Sequence, residues 1–251
     1  MPIKFLTNYP AAFISDKKML VITDMHIGLE TDLIRSGIKI NKQIEQFKET
    51  IDKLIDITHA KTLVVLGDVK HKVPGSYMQE LRDIPKLLEY LSTRVKVIIT
   101  SGNHDDFIKM MLPTQVKLYG SAGFKIGKYG FFHGHAWPGK ALMQCDYLFI
   151  GHLQPAIEFR DGMGYVHIEQ SWIKGKLDQK RIKEHYKIEK TGELNAIAVP
   201  AFNKMAGSTP VNRVLYEKDL GPLLPRIFNL DKSTAYLLDG TELGKVNDLV
   251  V

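Results

Sequence analysis

Five short apolar runs in this chain each end in side chains that bind metal ions, and this constrains the fold more than anything else in the sequence. Residues 19–23 lead into Asp24 and His26. Residues 62–66 lead into Gly67, Asp68 and His71. Residues 95–100 lead into Gly102, Asn103, His104 and Asp105. Residues 131–132 lead into His133 and His135, and 147–150 into Gly151, His152 and Gln154. In an open α/β sheet the loops leaving the carboxyl ends of strands gather on one edge, so residues far apart in sequence converge there. Carboxylate, imidazole and amide donors suit a hard-to-borderline divalent ion such as Mn, Fe or Zn. Glycines beside Asp68, Asn103, His133 and His152 permit tight exits from the strands.

The rest of the pattern agrees with an α/β architecture. Residues 41–58 read as a helix, because Ile44, Phe47, Ile51, Leu54 and Ile55 share one helical face. A second helix is expected near 85–91, with Asp83 and Pro85 placed for a start. Hairpins are expected at 124–133, at 157–168 around an Asp161-Gly162 turn, and at 235–246 around Asp239-Gly240. Residues 195–199 read as a strand and 207–210 as a linker. The expected organisation is one domain over 1–208 with an extension over 209–251 packed on it.

The composition narrows the class. With 251 residues the chain can bury a substantial core. A single cysteine, Cys145, excludes an intrachain disulfide framework and a cysteine-clustered zinc site, while nine histidines leave room for a histidine and carboxylate site. Apolar runs are too short to span a membrane, and Asn8, Pro10 and Asp16 interrupt any signal-like stretch. A soluble, cytoplasmic protein with no membrane partner is the expectation. The net charge is +6, and residues 174–190, with seven Lys/Arg against three Asp/Glu, carry most of it. That stretch reads either as a solvated, mobile surface loop or as a phosphate-binding segment. Trp172 and Tyr186 could stack on bases or simply pack. Residues 207–210 lack phosphate-loop spacing, which excludes an ATP site there.

The ordered motifs Asp24-x-His26, Gly67-Asp68-x-x-His71, Gly102-Asn103-His104-Asp105, His133-Gly134-His135 and Gly151-His152 resemble those of the calcineurin-like metallophosphoesterase superfamily. Arg35 to Ile38 and the segment ending at Phe202-Asn203 look like a narrower branch, the SbcD-related archaeal phosphoesterases and ligase-associated PdeM-type proteins. The resemblance implies a four-layer αββα sandwich, two mixed β-sheets flanked by helices. It also implies a two-metal site, with Mn favoured and Fe, Ni, Zn or Mg as alternatives. Asp68 would bridge the ions, Asp24 and His26 would bind the first, and Asn103, His133 and His152 the second. His104, with Asp105 beside it, would be catalytic, protonating the leaving oxygen or stabilising the developing charge.

One position departs from the family pattern. A histidine normally completing the first site is replaced by Gln154, whose neutral carbonyl suits oxygen-preferring ions, so the first site is expected to be the weaker. His71 and His135 are expected beside the first ligands or the substrate, with loop ordering the other reading of His135. His59, His167 and His185 have no motif around them. The implied activity is a metal-dependent phosphodiesterase using metal-activated water, with DNA processing or repair suggested by the branch. Two alternatives stand beside it: hydrolysis of a nucleotide or cyclic nucleotide, and a weakly catalytic metal-binding module of a repair complex. Oligomeric state stays open, and residues 223–238 could pack on the chain's own core or across a dimer.

Overall fold

The buried strands carry apolar side chains on both faces, so each sheet must be covered twice. A computed structural model describes residues 2–213 and 227–250 and shows what covers them. Strands β1 (Ile3–Phe5), β2 (Ala12–Ile14), β3 (Met19–Ile22), β4 (Thr62–Val65), β5 (Lys96–Thr100) and β6 (Lys117–Tyr119) form one sheet in that order. The first three are antiparallel, and β3 through β6 are parallel. Helices α1 (Leu29–Arg35) and α2 (Ile44–Thr58) lie in the first crossover and α3 (Met78–Arg94) in the second.

The second sheet contains β7 (Phe124–Ile126), β8 (Tyr129–Phe132), β9 (Tyr147–Ile150), β10 (Pro155–Arg160), β11 (Val166–Lys176), β12 (Asn195–Ala198) and β13 (Thr209–Pro210). Their order is β13-β10-β11-β12-β9-β8-β7. Strands β8, β9 and β12 run parallel. The long β11 pairs with β10 through 166–170 and with β14 (Thr234–Leu237) through 171–174. β15 (Glu242–Lys245) closes a hairpin with β14.

Alternation along the strands builds three apolar layers. Leu20, Ile22, Leu63, Val65, Val97 and Ile99 pack under Ile51 and Leu54 of α2 and Ile84 and Leu87 of α3. Val21, Val64, Leu66 and Ile98 point the other way and meet Phe131, Phe149, Trp172 and Ile197 of the second sheet. Phe132, Leu148, Ile150 and Ala198 face outward beneath Leu142, Met143, Phe228 and Ile182 of α4 (Gln179–Tyr186). The result is the four-layer mixed sandwich that the motifs imply.

Four local expectations are corrected. Helix α3 begins at Met78, not near Pro85, because the buried Glu80 carboxylate takes the Tyr77 N–H at 2.7 Å and fixes the first turn. Pro85 therefore sits inside the helix, facing the exposed Leu81 one turn back. The hairpin after β10 has a longer turn than Asp161-Gly162, since the Asp161 carboxylate accepts the N–H groups of Met163 and Tyr165. Within the basic stretch, 179–186 is helix α4, capped by Asp178 on the N–H groups of Lys180 and Arg181 and anchored by buried Ile182. Thr209 and Pro210, expected in a linker, pair with Pro155 and Ala156. Of the apolar 223–238 segment, 223–226 lie outside the described residues, and Phe228 and Leu230 pack on the outer core.

Candidate metal centre

The loops leaving β3, β4, β5, β8 and β9 meet at one edge. The first two extend their ladder past the strands: His26 N–H donates to Asp68 C=O at 2.9 Å and Ile27 N–H to Val69 C=O at 2.9 Å. The backbone then turns sharply. Of eleven non-glycine residues in left-handed conformation among the described residues, Asp24, His26, Asp68, His152 and Gln154 are five. Each such residue costs about 1–2 kcal/mol, and that cost concentrates where chain direction is set by function rather than by folding. The approach of the loops also requires glycine. A Cβ on Gly102 would lie 2.1 Å from Asp68 Oδ1, and one on Gly67 (φ +85°) 2.7 Å from His133 Nδ1.

The side chains converge as three donor groups, of which two share Asp68 and the third joins His26 to His71 and His104. Asp24, His26 and Asp68 offer ligand atoms within 4.8 Å of one another, and so do Asp68, His133 and His152. Asp68 Oδ2 lies 3.6 Å from His26 Nε2 and 3.3 Å from His133 Nε2. Asn103 Oδ1 lies 3.2 Å from His133 Nε2. His133 donates from Nδ1 to the Leu66 carbonyl at 2.5 Å, which turns Nε2 toward Asp68. A carbonyl holding the far nitrogen is the usual way a metal-binding imidazole is oriented. The donor set therefore fits divalent ions of the kind this chemistry accepts. Asp24 is heavily engaged: it accepts from Thr23 Oγ1 at 2.6 Å, from the His152 N–H at 3.1 Å and from Gln154 Nε2 at 3.2 Å. Gln154 Nε2 also lies 3.0 Å from His26 Nε2. Turning this amide over would present its carbonyl to the same place.

Burial sets the charges. It pushes Asp24 above the ordinary carboxylate range, with His133 opposing. It lowers His26 to about 3 and His152 to about 4, so both are neutral near pH 7 with lone pairs to offer. Burial also lowers His71 and His135. Asp68 is buried too, yet the adjacent His133 holds it well below the carboxylate range. In turn Asp68 overcomes burial at His133 and raises it to about 9.

His104 stands beside the bridge. Its N–H donates to Asp68 Oδ1 at 2.9 Å, and its Nδ1 donates to the His71 carbonyl at 2.6 Å, leaving Nε2 to give or take a proton. Asp105 differs from its expected catalytic place. Its buried Oδ1 accepts from Val69 and Lys70 N–H at 2.9 and 3.3 Å, and Oδ2 accepts from Gly102 N–H at 2.8 Å. It ties the Asp68 loop to the Asn103 loop. Both of its oxygens are thus held by backbone N–H groups. Burial and Asp68 raise it to about 6. His71 lies 5.5 Å from His26 and 5.7 Å from His104, ring to ring, and its Nε2 meets Asp32 Oδ2 at 3.1 Å. His135 lies 5.3 Å from His133 and 6.1 Å from His152.

Several supporting residues were not legible from motifs. Tyr77 donates to Asp32, which in turn holds His71. Buried Glu80 accepts the N–H groups of His71 and Lys72 at 3.0 and 2.7 Å. Asn203 donates to the Met25 carbonyl at 2.9 Å and so steadies the first loop. Tyr77 and Glu80 carry no motif of their own, and Asn203, in a segment that shares the family resemblance, acts on a loop 178 residues away. His59, His167 and His185 lie outside the centre; His185 stacks on Trp137 at 3.6 Å. Trp172 is fully buried and stacks on Phe5 at 4.2 Å, a packing role.

Comparison with known proteins follows the same line. Among solved structures, the nuclease MPE of Pseudomonas putida shares the fold, with a TM-score of 0.56 and 16% identity over 94% of this chain and 90% of that one. The phosphoesterase Yfce from E. coli aligns at 16% identity over 90% of this chain and 97% of that one, with a TM-score of 0.44. A comparison with curated proteins finds no match. A family model described as calcineurin-like phosphoesterase matches residues 17–191, which include every residue of the three donor groups. The chain belongs to the calcineurin-like phosphoesterase family, whose members use divalent metals, and is a hydrolase of phosphoester bonds.

Proposed function

We propose that this protein is a two-metal phosphodiesterase, with Mn the best-suited ion, acting on a phosphodiester of the kind that joins DNA. The observation that carries the reading is Asp68, one carboxylate shared by two donor groups with His104 on its flank. Asp24, His26 and Gln154 would hold one ion. Asn103, His133 and His152 would hold the other. The ions, when bound, supply charge that offsets the developing negative phosphoryl group and make water a nucleophile at neutral pH.

The protein's own residues do the rest. His133 is fixed by Leu66, and Asp68 by the His104 N–H, so little reorganisation is needed as charge develops. Asp105 keeps the two central loops at a fixed spacing. The His71 carbonyl holds the Nδ1 proton and fixes the ring, so His104 in its doubly protonated, imidazolium form would give the Nε2 proton to the leaving oxygen and be left neutral. Arg35 lies 4.7 Å over the Tyr77 ring and Lys72 Nζ 5.4 Å from it, so two cations stand on the His71 side, suited to a neighbouring phosphate of a strand.

The test is a panel of substrates and metals. A chromogenic phosphodiester, single- and double-stranded DNA and a cyclic nucleotide are each incubated with Mn, Ni, Mg or chelator. Diester hydrolysis that needs metal, and extends to DNA, is expected. An enzyme inactive with every metal would end the reading. Activity on the cyclic nucleotide alone would replace DNA with a small substrate. No helix among the described residues is long and apolar enough to cross a membrane.

A further inference from the structure

Two adjoining cavities lie at the end of the sandwich opposite the metal centre. Their position follows from register. Lys174 and Lys176 of β11 pair with Ile197 and Asn195 of β12, which pair with Phe149 and Tyr147 of β9. Tyr147 opens that strand, whereas His152 follows its far end. Lys174 alternates with Ile173, whose side chain joins the outer core, so Lys174 follows Trp172 onto the side between the sheets.

The larger cavity, about 590 Å³, is lined by Lys174, Lys176, Lys232 and Lys245 with Thr234 and Tyr236. Four ammonium groups meet one lining carboxylate, Asp178, which is committed to capping α4. Lys176 reaches Glu193 at 3.0 Å, and Lys245 donates to Thr234 Oγ1 at 2.9 Å. Lys174 and Lys232 have no acidic partner among the described residues. The smaller cavity, about 200 Å³, has aromatic walls: Phe5, Tyr147 and Tyr236, with Ile197 behind. Phe5 and Tyr236 stand edge to face at 6.2 Å. Lys174 and Tyr236 line both cavities, so the two are contiguous.

An aromatic-walled compartment beside a lysine-rich one matches one class of ligand. An aromatic base gains by packing against ring surfaces, and phosphoryl oxygens gain by lying among ammonium groups that lack counter-charges. The combined size falls within the usual range for small-ligand sites, about 300–1,000 Å³. We propose that this end of the molecule is a second, non-catalytic site for a nucleoside polyphosphate. The base would lie against Tyr236 and Tyr147, and the phosphates among Lys174, Lys232 and Lys245. The proposal is independent of the metal centre and of its substrate.

Calorimetric titration of the full chain with ATP, in chelator so that the metal centre takes no part, tests this. Saturable one-to-one binding is expected. The double variant Lys174→Gln/Lys232→Gln should weaken ATP and inorganic triphosphate at least tenfold. Tyr236→Leu should weaken ATP while leaving triphosphate within twofold. A charge-matched control, Lys53→Gln/Lys86→Gln, should leave both unchanged, and melting temperatures confirm that all variants are folded. A short oligonucleotide that displaces ATP with the same lysine dependence would assign the same site to a nucleotide unit of a strand. One that fails to displace it assigns the site to the free nucleotide. No saturable ATP binding by the wild type, or equal weakening by the control pair, would overturn the proposal.

Discussion

The two halves of the metal centre are built from the same kind of loop but not to the same standard. On one side, Asn103, His133 and His152 offer two imidazoles and an amide oxygen, and His133 is held by a carbonyl on its far nitrogen. On the other, Asp24 is already engaged by Thr23, His152 and Gln154, and the position facing His26 is filled by a neutral amide. On the proposed two-metal reading, one shared carboxylate would join two ends of unequal donor strength. What both halves share is Asp68, and what they have unequally is a second nitrogen donor.

The largest expected effect removes what the halves share. Asp68→Asn takes charge from both ions at once. A loss of about 4 kcal/mol of transition-state stabilisation lowers kcat/KM about a thousandfold. Hydrolysis of a chromogenic diester with saturating Mn measures it. Unchanged activity would show that the bridge lies elsewhere.

Next is the residue that belongs to neither half. His104→Ala should lower kcat for an alkyl phosphodiester about 10²–10⁴-fold, the usual worth of a positioned acid. With a nitrophenyl ester the loss should shrink, because that leaving group departs without a proton. An equal loss with both esters would make His104 a charge stabiliser and not an acid.

The halves should also separate with pH. In the free protein His133 is raised to about 9, so near pH 7 it carries a proton that an incoming ion must displace. His26, lowered to about 3, has no proton to lose there. Mn affinity on the His133 side should therefore rise about tenfold per pH unit from 7 toward 9, and the other side, where His26 is already neutral and only the raised Asp24 carboxyl can hold a proton, should rise less steeply. Competitive titration against a coloured chelator at several pH values reads both. Two parallel slopes would contradict the assignment.

Much of the centre was legible because its ligands follow apolar runs directly and carry glycines where the loops close. The strands were legible for the same reason: alternating burial on two faces leaves continuous apolar runs. Other features depended on contacts that residue type and periodicity do not announce. Pro85 reads as a helix start until Glu80 is seen to fix the turn seven residues before it. The charges of 174–190 hide the single buried Ile182 that makes α4 a packed helix. Asp105 sits inside a catalytic-looking motif, yet three backbone N–H groups from two loops consume its oxygens. No spacing rule announces such a contact, since the partners lie 36 residues away at Val69 and 35 at Lys70.

The smallest expected effect tests the inequality itself. Gln154 stands 3.0 Å from His26 Nε2 and 3.2 Å from Asp24 Oδ1, where a side chain can reach an ion held by both. An amide oxygen is a weaker donor than an imidazole toward borderline ions, and this difference grows from Mn toward Zn along the affinity order. Gln154→His should therefore tighten the weaker site about tenfold for Zn and only a few-fold for Mn. The stronger site, which makes no contact with residue 154 beyond its neighbour His152, should hold its affinity. A two-site titration of the variant against wild type separates these outcomes. If wild type already binds two Mn ions equally tightly, or if the variant tightens both sites together, the amide is not what distinguishes the halves. The engagement of Asp24 by Thr23 and the His152 N–H then becomes the remaining physical difference, and Thr23→Val becomes the variant to measure.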